Sequence, residues 1–121
     1  MSYTIQEQKQ YNTSVEVAHA SALKAIAGLE GKLLKQDATS IVAKFHKTIL
    51  GKVLGDRTHL TVTFSPTLEG CEVATTIYPL NAVGQKLMFG ARKGVSRTVL
   101  KWFYAHLNHH LKAANSFVLS N

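Results

Sequence analysis

Apolar residues recur along this chain at two spacings, every second residue in some stretches and every third or fourth in others. In residues 3–11, YTIQEQKQY, Tyr3, Ile5 and Tyr11 share one parity with Glu7 and Lys9. That alternation predicts a strand with a wet middle, of the kind found at a sheet edge. Thr13 and Glu16 have capping-box spacing, so a helix is expected to begin there. Val15, Ala18, Ala22, Ile26 and Leu29 then form an apolar stripe rich in alanine, and Gly28 and Gly31 read as its stop signals.

From Lys32 the period shortens. Leu33–Gln36 and Ile41–Lys47 flank the turn residues Asp37-Ala38-Thr39-Ser40, which predicts a hairpin. Residues 48–56, TILGKVLGD, keep no period and read as an irregular loop. Leu60, Val62 and Phe64 alternate with His59, Thr61 and Thr63, giving a half-buried strand. SPTLEG reads as a turn into Cys71–Tyr78, a strand that Pro79 is expected to end because proline donates nothing to a ladder. After a loop with Gly84, Gly90 and Gly94, Leu100, Phe103, Leu107, Leu111 and Ala114 mark a helix over roughly residues 95–114, of about five turns. Val99, Trp102 and Tyr104 widen its stripe, and the tail NSFVLSN is expected to fray or to dock as a short strand.

The predicted order is β-α-β-β-β-β-α. Strands joined by short turns pair antiparallel, so the expected class is α+β, with a sheet covered by a long C-terminal helix. The 121 residues fit one domain, residues 1–121, since domains run to roughly 100–200 residues.

Composition sharpens this in three ways. Fourteen Lys and Arg face seven Asp and Glu, a net charge of +7 that favours polyanionic partners such as nucleic acid or an anionic membrane surface. The single cysteine, Cys71, excludes an internal disulfide and a thiolate-rich zinc site. No apolar run approaches the roughly 20 residues of a membrane span, and MSYTIQEQKQ does not resemble a signal peptide, so a cytoplasmic location is expected.

Candidate chemistry is sparse. His106, His109 and His110 have helical spacing that a metal could use, but no acidic residue accompanies them, and a favourable interaction with the helix C-terminus accounts for them adequately. No metal site and no cofactor is assigned. In QKLMFGARKGVSR, Lys86, Arg92, Lys93 and Arg97 crowd a helix N-terminus, and Lys93, Arg97 and Lys101 repeat at i, i+4. This is either an anion-binding surface or a solvated basic face. Asp56, Arg57 and His59 form the one acidic and basic cluster in a loop, and no serine sits in a nucleophile elbow, so nothing marks an enzyme.

The stretches YTIQEQKQYNTSVEVAHASAL and SRTVLKWFYAHLNHHL, with strand-rich sequence between them, resemble the frame of a reduced helix-grip domain. These are the START-like proteins of the polyketide cyclase and lipid-transport superfamily. The resemblance implies a cavity for an apolar ligand beneath the last helix, in a chain short enough to leave a small pocket. The same element order resembles one repeat of the TATA-box-binding protein fold, although the row of Arg, Lys and intercalating Phe that reads a minor groove is missing.

Two functions therefore compete. One is a binding domain holding a small apolar or amphiphilic ligand between sheet and C-terminal helix, with Met88, Phe89, Trp102 and Phe103 as its lining. The other is polyanion binding through Lys86, Arg92, Lys93, Arg97 and Lys101.

Overall fold

The computed structural model describes residues 4–45, 57–80 and 93–119. It contains β1 (Ile5–Tyr11), α1 (Val15–Gly28), β2 (Lys32–Asp37), β3 (Ser40–Phe45), β4 (Arg57–Thr67), β5 (Gly70–Leu80) and α2 (Lys93–Leu119). The class is α+β. The five strands form one antiparallel sheet in the order β1-β5-β4-β3-β2, so β1 lies at one edge and β2 at the other.

Strand alternation decides which face is covered. Ile41, Ala43 and Phe45 of β3, Leu60, Val62 and Phe64 of β4, and Cys71, Val73, Thr75 and Ile77 of β5 all point to one face and are buried. Both helices cover that face. α1 contributes Ala18, Ala22, Ala25, Ile26 and Leu29, and α2 contributes Val99, Leu100, Phe103, Tyr104, Leu107 and Leu111. Alanines on the buried side let α1 lie close to the strands, where larger side chains would hold it away. The other face carries Gln6, Gln8, Gln10, Thr61, Thr63, Ala74 and Thr76 and has no helix over it among the described residues.

Several local expectations need correcting. Ser14, one residue later than the expected cap, starts α1: its Oγ accepts the Val17 N–H at 3.2 Å. Neither glycine supplies the left-handed residue after α1. Glu30 does, at φ 59°, while the Gly31 N–H donates back to the Ile26 carbonyl at 2.9 Å. Gly31 answers a different need, because a Cβ there would lie 2.9 Å from Ile26 and closer still to the Phe45 ring.

Both prolines lie inside strands. Pro66 pairs with Cys71 beyond the last β3 partner of β4, and Pro79 pairs with Thr58 beyond the last β1 partner of β5. Among the described residues each therefore stands where its strand has a neighbour on one side, so no second described ladder is interrupted. The turn between β4 and β5 shrinks to Leu68-Glu69, and Gly70 follows at φ +152°, where a Cβ would strike the Tyr11 carbonyl and the Thr13 amide. α2 runs to Leu119, so the tail continues as helix to that residue and does not dock as a strand.

Candidate functional site

The Asp37-Ala38-Thr39-Ser40 hairpin is closed as the residue types suggest. The Asp37 carboxylate accepts the Thr39 N–H at 2.9 Å, and hydrogen bonds from Thr39 and then Ser40 hold its pKa below the usual carboxylate value. At this end of the sheet His19 Nε2 lies 2.7 Å from the Asp37 carbonyl, which ties α1 to the hairpin. Fully buried Ala18, Ala22 and Ala25 complete the seat of α1 on the strands.

The opposite side is built from β1 and α2. Glu7 and Lys9 share a parity with Ile5 and Tyr11, opposite Thr75 and Val73 of β5, so they project toward the helices. Both are exposed, so the inner face of β1 carries charge where it meets α2. Between the edge strand and the helix lies a cleft of about 390 Å³. Ile5, Leu100, Tyr104 and Ala105 give it an apolar wall, and Glu7, Lys9, Arg97, Lys101 and Asn108 give it a polar one. A larger hollow of about 540 Å³ over Gln6, Gln8, Ala74 and Thr76 belongs to the uncovered face and has no comparable apolar wall.

Hydrogen bonds under the cleft fix its inner side. Tyr104 Oη and Thr75 Oγ1 are 2.8 Å apart and buried, and Thr75 Oγ1 also donates to the Glu7 carbonyl at 3.4 Å. The Lys9 ammonium rests over the Tyr104 ring, 4.3 Å from its centroid, in cation–π geometry. The Tyr11 hydroxyl is buried and has no hydrogen-bond partner among the described residues. Burial, followed by the proximity of Tyr104 and of the Glu7 charge, pushes the Tyr11 phenol up to about 12. Burial likewise raises Tyr104, opposed by its bond to Thr75. Both phenols therefore stay neutral near pH 7.

Of the residues expected to bind anions, Arg97 and Lys101 meet in this cleft. Lys93 opens α2, but its side chain lies outside the described residues, as do Lys86 and Arg92. Met88 and Phe89 of the expected ligand lining also lie outside them. Trp102 and Phe103 do not share a face. Phe103 is fully buried in the core, whereas Trp102 is 37% exposed. Successive helix residues are rotated by about 100°, which carries Trp102 off the stripe formed by residues 99, 100, 103, 104, 107 and 111. Neither residue lines the cleft. Glu7, Lys9 and Tyr104 do, and none of them stands out in the sequence as a binding residue.

The histidines remain apart from this site. His106 packs beside Gly28, where an added Cβ would sit 3.0 Å from its Nδ1. His109 and His110 meet edge to face, 5.3 Å between ring centroids. Burial and then the neighbouring His109, Lys24 and His106 charges lower the His110 pKa. Among the described residues no three His, Cys, Asp or Glu side chains stand close enough to hold a metal. His59 stacks on Tyr78 at 4.7 Å with its Nδ1 buried and its pKa lowered by burial, while Asp56 lies outside the described residues. Among the described residues no helix is long and apolar enough to cross a membrane.

No model of a known protein family matches the sequence, and no curated protein matches it. Solved structures do match its fold. Protein MLL2253 from Mesorhizobium loti superposes with a TM-score of 0.59 at 12% identity, covering 91% of this chain and 97% of that one. CV1439 from Chromobacterium violaceum gives 0.48 at 12% identity, covering 86% and 94%. TTHA0849 from Thermus thermophilus gives 0.48 at 13% identity, covering 92% and 98%. At such identities the likeness is one of fold, and with MLL2253 it spans nearly the whole of both chains.

Proposed function

We propose that this chain is a small binding domain that holds a single-chain amphiphile in the cleft between β1 and α2. One observation carries the reading: the cleft between the edge strand and α2 has one apolar and one polar wall, with two charged residues of the strand on its inner face. A mixed lining of this kind favours a ligand with an apolar body and a polar end over a wholly apolar one. Assignment to the START-like superfamily belongs to the same proposal. It is supported by the β-α-β4-α frame with a helix-lined hollow beside the sheet, and it agrees with a cytoplasmic carrier or sensor of amphiphiles.

The test is a titration with sodium decanoate below its micellar concentration, followed by amide chemical shifts. Shifts confined to residues 5–9 and 97–108, and abolished by Ala105→Trp, are the expected result. Shifts elsewhere, or shifts that survive Ala105→Trp in a folded variant, would sink the reading. Polyanion binding is the second reading, favoured by the exposure of Arg97 and Lys101 one turn apart on α2. It expects short duplex DNA to bind with an affinity that falls steeply with salt.

A further inference from the structure

We infer that the cleft selects an anionic headgroup, a carboxylate or phosphate monoester, and that Lys9 is the residue that sets this selectivity. The inference rests on the amphiphile reading above and goes beyond it by fixing the sign of the headgroup charge. Three cations, Lys9, Arg97 and Lys101, line the cleft with one anion, Glu7, so the cleft itself carries an excess of positive charge. They come from two elements, β1 and α2, and therefore approach an occupant from both sides.

Lys9 differs from the two helix cations. All three are exposed, with water as an alternative partner. The Lys9 ammonium also lies over the face of Tyr104. That ring is itself anchored through its hydroxyl to buried Thr75. Lys9 thus already lies at the cleft wall before a ligand arrives. A headgroup oxygen arriving beside Tyr104 gains a charge-assisted hydrogen bond from Lys9, while the chain lies along Ile5, Leu100 and Ala105. A cationic headgroup meets net repulsion from three cations against the single Glu7 carboxylate, and an alcohol lacks the charge to exploit the excess.

Four ten-carbon probes, each below its micellar concentration, test this: decanoate, decyl phosphate, decanol and decyltrimethylammonium, with dissociation constants from calorimetry. Decanoate and decyl phosphate are expected to bind at least about tenfold more tightly than decanol, the scale of one hydrogen bond to a charged group. Decyltrimethylammonium is expected to bind most weakly. Lys9→Met should bring decanoate to the level of decanol in the same variant, and Lys9→Arg should restore the difference. Thermal unfolding of each variant separates this loss from misfolding. Inorganic phosphate alone should bind far more weakly than decyl phosphate, which separates an amphiphile site from a simple anion site.

If decanol matches decanoate in the unsubstituted protein, the headgroup inference fails and the amphiphile reading stands. If none of the ten-carbon probes binds, both fail. Retention of the preference by Lys9→Met overturns the role given to Lys9. Binding to vesicles containing anionic lipid, without binding to any free probe, overturns the inference in favour of a membrane surface.

Discussion

The two sides of the helix-covered face are built on opposite principles. Under α1, the dry side, three fully buried alanines belong to one apolar cluster with Ile41, Ala43, Leu60 and Val62. Under α2 near the sheet edge, Glu7, Lys9, Tyr11, Thr75 and Tyr104 bring charges and hydroxyls to the inner face. Small apolar residues let a helix settle onto strands, whereas inward-pointing charges hold one off and leave space. Inward charges are also a known means of keeping an edge strand from pairing with another chain. On β1 the same two residues would protect the edge and open the cleft.

Enlarging one alanine on each side tests this contrast most strongly. Ala22→Leu on α1 should cost about 1–3 kcal/mol by overpacking. Ala105→Leu, which points into the cleft, should be nearly neutral. Chemical denaturation of both variants checks the pair, and an equal loss would mean that the cleft is not open space.

Thr75→Val comes next. It keeps the shape of the side chain and deprives the buried Tyr104 hydroxyl of its partner, with an expected loss of about 1–3 kcal/mol. A loss near zero would show the polar side to be as wet inside as at its rim.

The polar side also predicts a pH dependence. The folded chain holds the Tyr11 proton more tightly than the unfolded chain. Its contribution to stability is therefore complete below about pH 10, where an unfolded phenol ionises, and is lost as pH rises toward about 12. Tyr11→Phe should flatten the alkaline fall in stability, measured as the urea midpoint across that window. An unchanged slope would mean that Tyr11 is solvated. A smaller effect is expected from Trp102→Ala, about 1 kcal/mol, because the indole lies off the core stripe and is 37% exposed.

The dry side is the more legible of the two in the sequence. Alternation in β3, β4 and β5 identifies the inward residues, because burial on one face of a strand leaves a period of two. The alanine stripe of α1 is equally plain. Its first residue is displaced by one from the expected position because Thr13 and Ser14 are both competent caps, and only backbone geometry chooses between them. Proline does not terminate either strand at Pro66 or Pro79. Its cost depends on whether a strand has neighbours on both sides, which sequence order does not state.

The polar side is legible only in fragments. The parity of Glu7 and Lys9 with Ile5 and Tyr11 is visible, and it implies that two charges point inward. What they face depends on α2, about ninety residues away in sequence, so the parity reads as a feature of an edge strand. Trp102 and Phe103 draw attention as adjacent aromatics, although adjacency on a helix separates side chains.

The pairing of β1 gives the cleft a kinetic character. Among the described residues β1 hydrogen-bonds along one edge, to β5, a strand that enters the chain some sixty residues after it. Closing so long a loop makes β1 a late arrival in folding. As an edge strand of seven residues it can also detach at less cost than the strands inside the sheet. One wall of the cleft can therefore open without unfolding the core. Entry and exit of a ligand would then be timed by how often that strand lifts, and amide hydrogen exchange along residues 5–11 would report the rate.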